Sequence, residues 1–544
     1  MAVPPAKASA PPATRAWTPM DAGIVALAAI VALIPRTVNL LGMDPFVDEV
    51  ASLDWPLRVY ELTAPRTWLA SLLVDGRPPL YLWLLVPFAQ FIDNGILAGR
   101  VLSVLADVAC VVALYALGRE LASRTVGAAT ALLWALSPFP IFFARIAVDD
   151  SLLTLMAVLT TLASVRLARQ PTVTTGALCG LALALTVLVK TNGALLAVAP
   201  PLAIVMLGRP LAWRAYVLPI GAALLVGLLA SLPLLLGLAP LLQQLSLHTG
   251  TAEQAGGHWF ARNVEIAAGW METLAGNRLL IAAGVGLVLA LLFRQAGMLF
   301  VALLGISLAV LILDVSAALF ARRLLLPVFP AYLLAAYAIE RTAHLAMRGF
   351  GSPWVRRERV RVALGAGVVV VGLTVILAER ADLAVAVVQD PAHAPIPGSE
   401  HASYFENWFA VYGLSQVADE LRARGRERPI TVLVPPASRE GRVLLPHLAL
   451  RFYLRHDPSI RFMEASALWR AQDLRELRQF TRDGPTYLVV NGSHTDGPGM
   501  PNDVPQYTRQ LERRLAQDFP GTREILRIPR PTAPNWLSLY QLDE

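Results

Sequence analysis

Cysteine, lysine and charge of either sign are scarce in this 544-residue chain. The two cysteines, Cys110 and Cys179, each lie inside an apolar run, which argues against a disulfide framework and against a cysteine-based metal site. Lys7 and Lys190 are the only lysines; the remaining basic side chains are arginine, a bias expected of a GC-rich genome. Charged residues make up 16% of the chain against 56% hydrophobic residues, and mean hydropathy is +0.55. That balance excludes an ordinary soluble protein and indicates a polytopic α-helical membrane protein. The net charge of +7 calls for no nucleic acid, because the cytoplasmic loops of membrane proteins collect basic residues. The chain also lacks a nucleotide-binding loop, and its N-terminal stretch lacks the short apolar core and cleavage site of a signal peptide.

What is present divides the chain into three. Residues 1–20, rich in Ala and Pro, are expected to be a disordered cytoplasmic tail. Residues 21–380 hold nearly all of the apolar material and are expected to form a transmembrane domain. Residues 395–544 return to the charge and proline density of a soluble domain. A spanning helix needs about 20 mostly apolar residues. Eleven stretches qualify: 21–41, 97–118, 125–144, 150–168, 173–190, 191–208, 214–238, 277–293, 297–315, 321–341 and 361–379. The stretch 78–94 is read as interfacial or re-entrant. With that reading the loops carrying Arg119 and Arg124, Arg166 and Arg169, Arg209 and Arg214, Arg294, and Arg341 to Arg361 share the side of the N-terminus, which the positive-inside rule makes cytoplasmic. The loop 42–77, with Trp55, Tyr60 and Trp68, is expected to lie at head-group level. In the tail, 431–434, 486–490, 523–528 and 536–540 read as strands between amphipathic helical patterns, giving a small extracytoplasmic α/β domain.

This topology collects polar residues on the outer side. Asp48 and Glu49 follow the first span, where carboxylates are costly unless hydrated, paired or used. As adjacent residues they point in different directions, so at most one is expected to aim at a given reacting atom. Asp149 and Asp150 open another span after Arg145, a place where an acid also serves as an ordinary helix-capping charge. Lys190 sits between two apolar runs; a snorkelling boundary lysine is the plain reading, a cation needed in a cavity the functional one. Arg322 and Arg323 stand on the side that the positive-inside rule disfavours, which an anionic partner such as a lipid phosphate would explain. His248, Glu253 and His258 share an outer loop, but their spacing matches no standard metal site, so any divalent metal is left unassigned and no cofactor is expected firmly.

The order of these pieces resembles the GT-C superfamily of membrane glycosyltransferases, in its protein O-mannosyltransferase and aminoarabinose transferase branch. The pieces are Asp48-Glu49; Arg77-Pro78-Pro79-Leu80-Tyr81; Gly99-Arg100-Val101-Leu102-Ser103; Leu117 to Leu121; Ser137-Pro138-Phe139; Arg145 to Leu153; Lys190-Thr191-Asn192-Gly193; and Arg323-Leu324-Leu325-Leu326-Pro327. The resemblance implies sugar transfer from a polyprenyl-phosphate donor, with inversion, at the outer face of the cell membrane. It implies Asp48 as the base, with Glu49 in a supporting role, and Asp150 as the second acid. It implies Lys190 and Arg323, with Arg145 and Arg77, as cations near the donor phosphate, and His258 as a substrate-side or metal-side residue. The chain has Arg77 where the family commonly has His before Pro-Pro, and Arg323-Leu324 where it commonly has Arg-Tyr. The acceptor is a glycan, a lipid or a protein, and the sequence does not choose among them. The rival readings are a transporter or flippase and a ligase or polymerase of lipid-linked saccharides. A flippase fits less well because the polar groups cluster on one face and no internal repeat is evident.

Overall fold

The computed structural model describes residues 16–46, 48–50, 52–53, 68–208, 210–249, 259–316, 319–349, 358–407, 410–434, 445–454, 457–470, 473–496 and 504–543. The expected interfacial segment is therefore seen only in part, and His258 and Glu253 lie outside the described residues.

Helix α1 (Pro19–Thr37) starts where capping chemistry dictates. Pro19 takes the first helical position, the Thr18 hydroxyl accepts from Asp21 N, and the Asp21 carboxylate accepts from Thr18 N at 2.8 Å. Asn94 caps the long α2 (Gly95–Leu121) by accepting from Ile96 and Leu97 N, and Ser123 caps α3 (Arg124–Leu136), which runs back along it. The short α4 (Pro138–Ala144) is bent 60° from α3, because Pro138 cannot donate into the preceding turn. Then come α5 (Asp150–Arg169) and α6 (Val173–Val189), the latter capped by Thr172. Gly176 and Gly180 let α6 meet Val217–Ala230 backbone to backbone: a Cβ on either would lie 2.0 Å from the carbonyl oxygen of Pro219 or Ala223. Small residues four apart are the membrane solution to close helix packing. Helices α7 (Ala296–Val315) and α8 (Leu325–Gly349) complete the part of the bundle that builds the site.

The bundle is apolar outside as well as inside. Leu218, Leu224, Leu225, Leu228 and Leu229 all stand exposed on Val217–Ala230, a face suited to lipid tails rather than water. One interior ion pair illustrates how the bundle holds charge. Arg36, fully buried, donates to Asp107 at 2.6 Å and to the carbonyls of Ala32 and Ala135, while Trp134 Nε1 donates to the other Asp107 oxygen at 2.9 Å. Removing one partner of such a pair typically destabilises by about 3–5 kcal/mol.

Among the described residues six helices are long and apolar enough to cross a membrane, or nine if each of three bent pairs is one span. Eleven were expected. The stretch 173–208, read as two spans, yields only shorter apolar helices: the chain leaves α-geometry at Lys190 and continues as the 3₁₀ turn Thr191–Val198 before Ala199–Leu207. Residues 78–94 give the 12-residue helix Leu80–Phe91. At 1.5 Å per residue it is about 18 Å long, short of the roughly 30 Å hydrocarbon core.

Beyond the bundle, β1 (Ile430–Val434), β2 (Ile460–Glu464), β3 (Thr486–Ser493), β4 (Arg523–Pro529) and β5 (Asn535–Leu542) form one mixed sheet of order β2-β1-β3-β5-β4. β1 is parallel to β2 and β3, whereas β5 is antiparallel to β3 and β4. Strand β2 carries a weak alternation, with only Ile460 fully buried, and sequence pattern alone does not reveal it. Asp44, in the loop after α1, accepts from Gly413 N at 2.6 Å and Ser415 N at 2.9 Å at the start of α9 (Leu414–Glu427), and so ties this part of the chain to the bundle. A carboxylate there also complements the helix N-terminus.

Candidate functional site

Four chain segments converge at one end of the bundle. Asp48 comes from the loop after α1, Asp149 and Asp150 from the start of α5, Lys190 from the end of α6, and Arg322 from the 3₁₀ turn Ala321–Leu324 that leads into α8. Lys190 Nζ donates to Asp149 Oδ1 at 2.7 Å and to Asp150 Oδ1 at 2.8 Å. Arg322 donates to Asp48 through Nη2, and its Nε lies 3.6 Å from Asp150 Oδ2. The result is one continuous chain of charge from Asp48 through Arg322, Asp150 and Lys190 to Asp149.

Exposure grades across this chain. The side chains of Asp48 and Asp149 are 37% and 29% exposed, whereas Asp150 is 2% and Arg322 10% exposed. Asp48 thus opens to solvent on one side while protein surrounds it on the others. That surrounding raises its affinity for a proton, but the Arg322 guanidinium, with help from Arg77 and Lys190, outweighs it and holds the Asp48 carboxyl below the ordinary carboxylate value. At Asp149 burial and the neighbouring Asp150 prevail over Lys190 and push the carboxyl up. Lys190 Nζ sits between the Asp149 and Asp150 carboxylates, which offset the cost of burying its charge. Among the described residues two buried atoms in the network have no hydrogen-bond partner, Asp150 Oδ2 and Arg322 Nη1. Polar atoms at that depth are ordinarily satisfied, and an orphaned pair beside an opening is a place for a ligand.

The sequence-predicted residues sort into two groups. Asp48, Asp150 and Lys190 meet in the network, and half-buried Arg77 lies near enough to act on Asp48. Arg323 is adjacent; its guanidinium donates to Ser316 Oγ at 3.2 Å and lies 5.4 Å from the Phe320 ring. Glu49 and Arg145 are engaged by protein groups. Glu49 is fully buried, accepts Arg100 Nε at 2.9 Å and Nη2 at 3.1 Å, and accepts Phe46 N and Ala147 N at 2.7 Å each, which suits the supporting role expected of it rather than contact with a reacting group. Arg145 donates to the carbonyls of Pro35, Val38 and Asn39 at 2.7–2.8 Å, which caps the end of α1. His258 is outside the described residues, and among those described no group of three or more His, Cys, Asp or Glu is placed to hold a metal ion.

Other residues were quoted from the sequence without the roles that the structure gives them. Arg100 links Glu49 to the carbonyls of Leu40 and Met43, which fixes the loop that presents Asp48. Gly99 allows that approach, since a Cβ there would lie 2.5 Å from Ala147 Cβ, and Ser103 donates to Val148 O just before the acidic pair. An arginine inside an apolar run was the available signal for Arg100. Arg322, rather than its neighbour Arg323, makes the ion pairs to both acids, and a choice between adjacent arginines is invisible without the turn geometry.

Segment 76–236, which includes Arg77, Asp150 and Lys190, matches the family described as dolichyl-phosphate-mannose-protein mannosyltransferase. No curated protein matches the sequence. The crystal structure of ArnT from Cupriavidus metallidurans bound to undecaprenyl phosphate is similar with a TM-score of 0.54 at 16% identity, covering 96% of this chain and 98% of that one. The apo oligosaccharyltransferase of Archaeoglobus fulgidus is similar with a TM-score of 0.51 at 11% identity, over 87% of this chain and 69% of that one. The match over residues 76–236 and the fold shared with these structures agree with the resemblance read from the sequence.

Proposed function

We propose that this protein transfers a sugar from a polyprenyl-phosphate donor to an acceptor hydroxyl or amine at the extracytoplasmic face of the cell membrane, by one inverting displacement. The observation that carries the reading is the Asp48–Arg322–Asp150–Lys190 network, open to solvent at Asp48 and set at one end of an apolar bundle. Asp48 takes the acceptor proton as the acceptor atom bonds to the sugar anomeric carbon; the bond from that carbon to the phosphate oxygen breaks, and polyprenyl phosphate leaves with the electron pair. A carboxylate held below its usual pKa is ionised at neutral pH and ready for that role. Charge grows on the leaving phosphate, where Lys190, Arg322 and Arg323 supply fixed positive charge. The orphaned Arg322 Nη1 gains an acceptor in a phosphate oxygen.

The side of the membrane follows from charge. Asp21 at the start of α1 pairs with Arg119 and Arg124, and Glu120 pairs with Arg169, so these basic loops share the end of the bundle opposite the network. The positive-inside rule then makes the network extracytoplasmic. The decisive experiment measures sugar transfer by purified protein in lipid nanodiscs supplied with polyprenyl-phosphate sugars. Asp48→Asn is expected to abolish turnover while the protein stays folded; near-normal turnover by that variant would sink the mechanism.

A further inference from the structure

The segment Gly398–Glu406, which follows the bundle and precedes the sheet, closes one wall of the site. Glu400 is only 4% exposed although it belongs to a charged residue type. Its Oε1 accepts from Ala321 N at 3.0 Å, at the first residue of the turn that carries Arg322 and Arg323. The Tyr404 ring lies 4.4 Å from Phe46, two residues before Asp48, and 5.2 Å from Phe142. The Arg322 guanidinium in turn lies 5.3 Å from the Phe46 ring and 5.0 Å from Phe320. One short segment therefore touches the backbone that presents the cations and the aromatic ring that flanks the base. Ser399 adds an anchor by accepting from Trp270 Nε1 at 3.2 Å.

A 3₁₀ turn of four residues has too few internal hydrogen bonds to hold two arginines in place. Its first N–H needs an outside acceptor, and Glu400 is that acceptor. Resting on the donor-phosphate reading above, we propose that Glu400 is a positioning residue: it fixes the Ala321–Leu324 turn so that Arg322 and Arg323 face the phosphate of the donor lipid, and the chain beyond the bundle thereby forms part of the binding site.

Undecaprenyl phosphate, the bare lipid phosphate, is the probe, so the sugar need not be known. Its affinity for the full chain in detergent is measured by thermophoresis for the wild type, Glu400→Ala, Glu400→Gln and Glu400→Asp. Glu400→Ala, which removes the acceptor, should weaken binding about tenfold, the scale of one lost hydrogen bond to a charged site. Glu400→Gln keeps an oxygen for Ala321 N and should bind within about threefold of wild type, a rescue that loss of general stability would not show. If Glu400→Ala does not yield folded protein, Glu400→Asp, which keeps the charge but draws the acceptor back from Ala321 N by one methylene, carries the test with an expected weakening of about threefold. Wild-type binding with no change in Glu400→Ala, or in Glu400→Asp, overturns the positioning role alone. A Glu400→Gln as weak as Glu400→Ala overturns it too, because the charge rather than the hydrogen bond would then matter. No binding by the wild type brings down the donor-phosphate reading and the positioning role with it.

Discussion

The two ends of the helix bundle each bury a carboxylate among arginines, and they differ in how completely it is satisfied. Asp21, at the end bearing the basic loops, accepts from Thr18 N and Oγ1, from Arg124 Nε and Nη2, and from the Tyr115 hydroxyl. Asp150, at the other end, accepts from Lys190 on one oxygen and leaves Oδ2 without a hydrogen bond, next to Arg322 with its own orphaned Nη1. Both residues are almost inaccessible, so burial does not separate them. A saturated ion cluster fastens helices; an unsaturated one next to an opening retains capacity for a ligand. Charge alone is therefore a poor mark of function in this protein, and the count of unmet hydrogen bonds is a better one.

The largest test of that contrast is at the open end. Asp48→Asn should lower transfer by about three orders of magnitude or more, within the range for loss of a general base, whereas Asp21→Asn should leave turnover per folded molecule close to normal. Equal losses of turnover in the two variants would erase the distinction. Next, Lys190→Ala should weaken binding of undecaprenyl phosphate about tenfold or more, since it removes a cation from the phosphate and leaves Asp149 and Asp150 facing each other; calorimetric titration reads this directly, and unchanged affinity removes Lys190 from the donor site.

Arg145 probes the opposite behaviour at the same end. Arg145→Met frees the carbonyls of Pro35, Val38 and Asn39, so thermal unfolding in detergent should show a loss of roughly 3 kcal/mol. Affinity for lipid phosphate in the surviving folded protein should not move. The smallest effect expected is in pH dependence. Arg322 holds the folded Asp48 carboxyl below 3.8, so Asp48 remains ionised as pH falls and takes its proton only below that value. The rate ratio kcat/KM should stay flat through neutral and mildly acidic pH and fall below it. In Arg322→Met the burial of Asp48 loses its main opponent, so the acid limb should move upward by about one pH unit or more. A limb that stays in place would show that Arg322 does not tune the base.

Much of the site could be read along the chain, and the residues that could not share one property. Asp48, Asp150 and Lys190 were legible because each is an ionisable side chain at the edge of an apolar run, where few survive without a use. Glu49 and Arg145 carried the same signal and proved to be fasteners, because pairing partners such as Arg100 and the carbonyls at the end of α1 come from elsewhere in the fold. Glu400 was missed for the converse reason, and Arg322, named together with Arg323 as a cation suited to a lipid phosphate, was not told apart from its neighbour as the partner of both acids. Ala321 N and Glu400 are 79 residues apart in the chain, and no local pattern announces a bond of that separation. Spans were legible where an apolar run is unbroken, as in α2 and α5, whereas the change of geometry at Lys190, which divides 173–208 into shorter helices, was not.

By itself the sequence determined the apolar bundle, the side on which its basic loops gather, and the short set of charged residues among which function had to lie, because hydropathy and charge act residue by residue. Only the tertiary structure decided which of those charges are spent on one another and which remain open to a ligand, because hydrogen-bond saturation depends on partners that the chain brings together from distant positions.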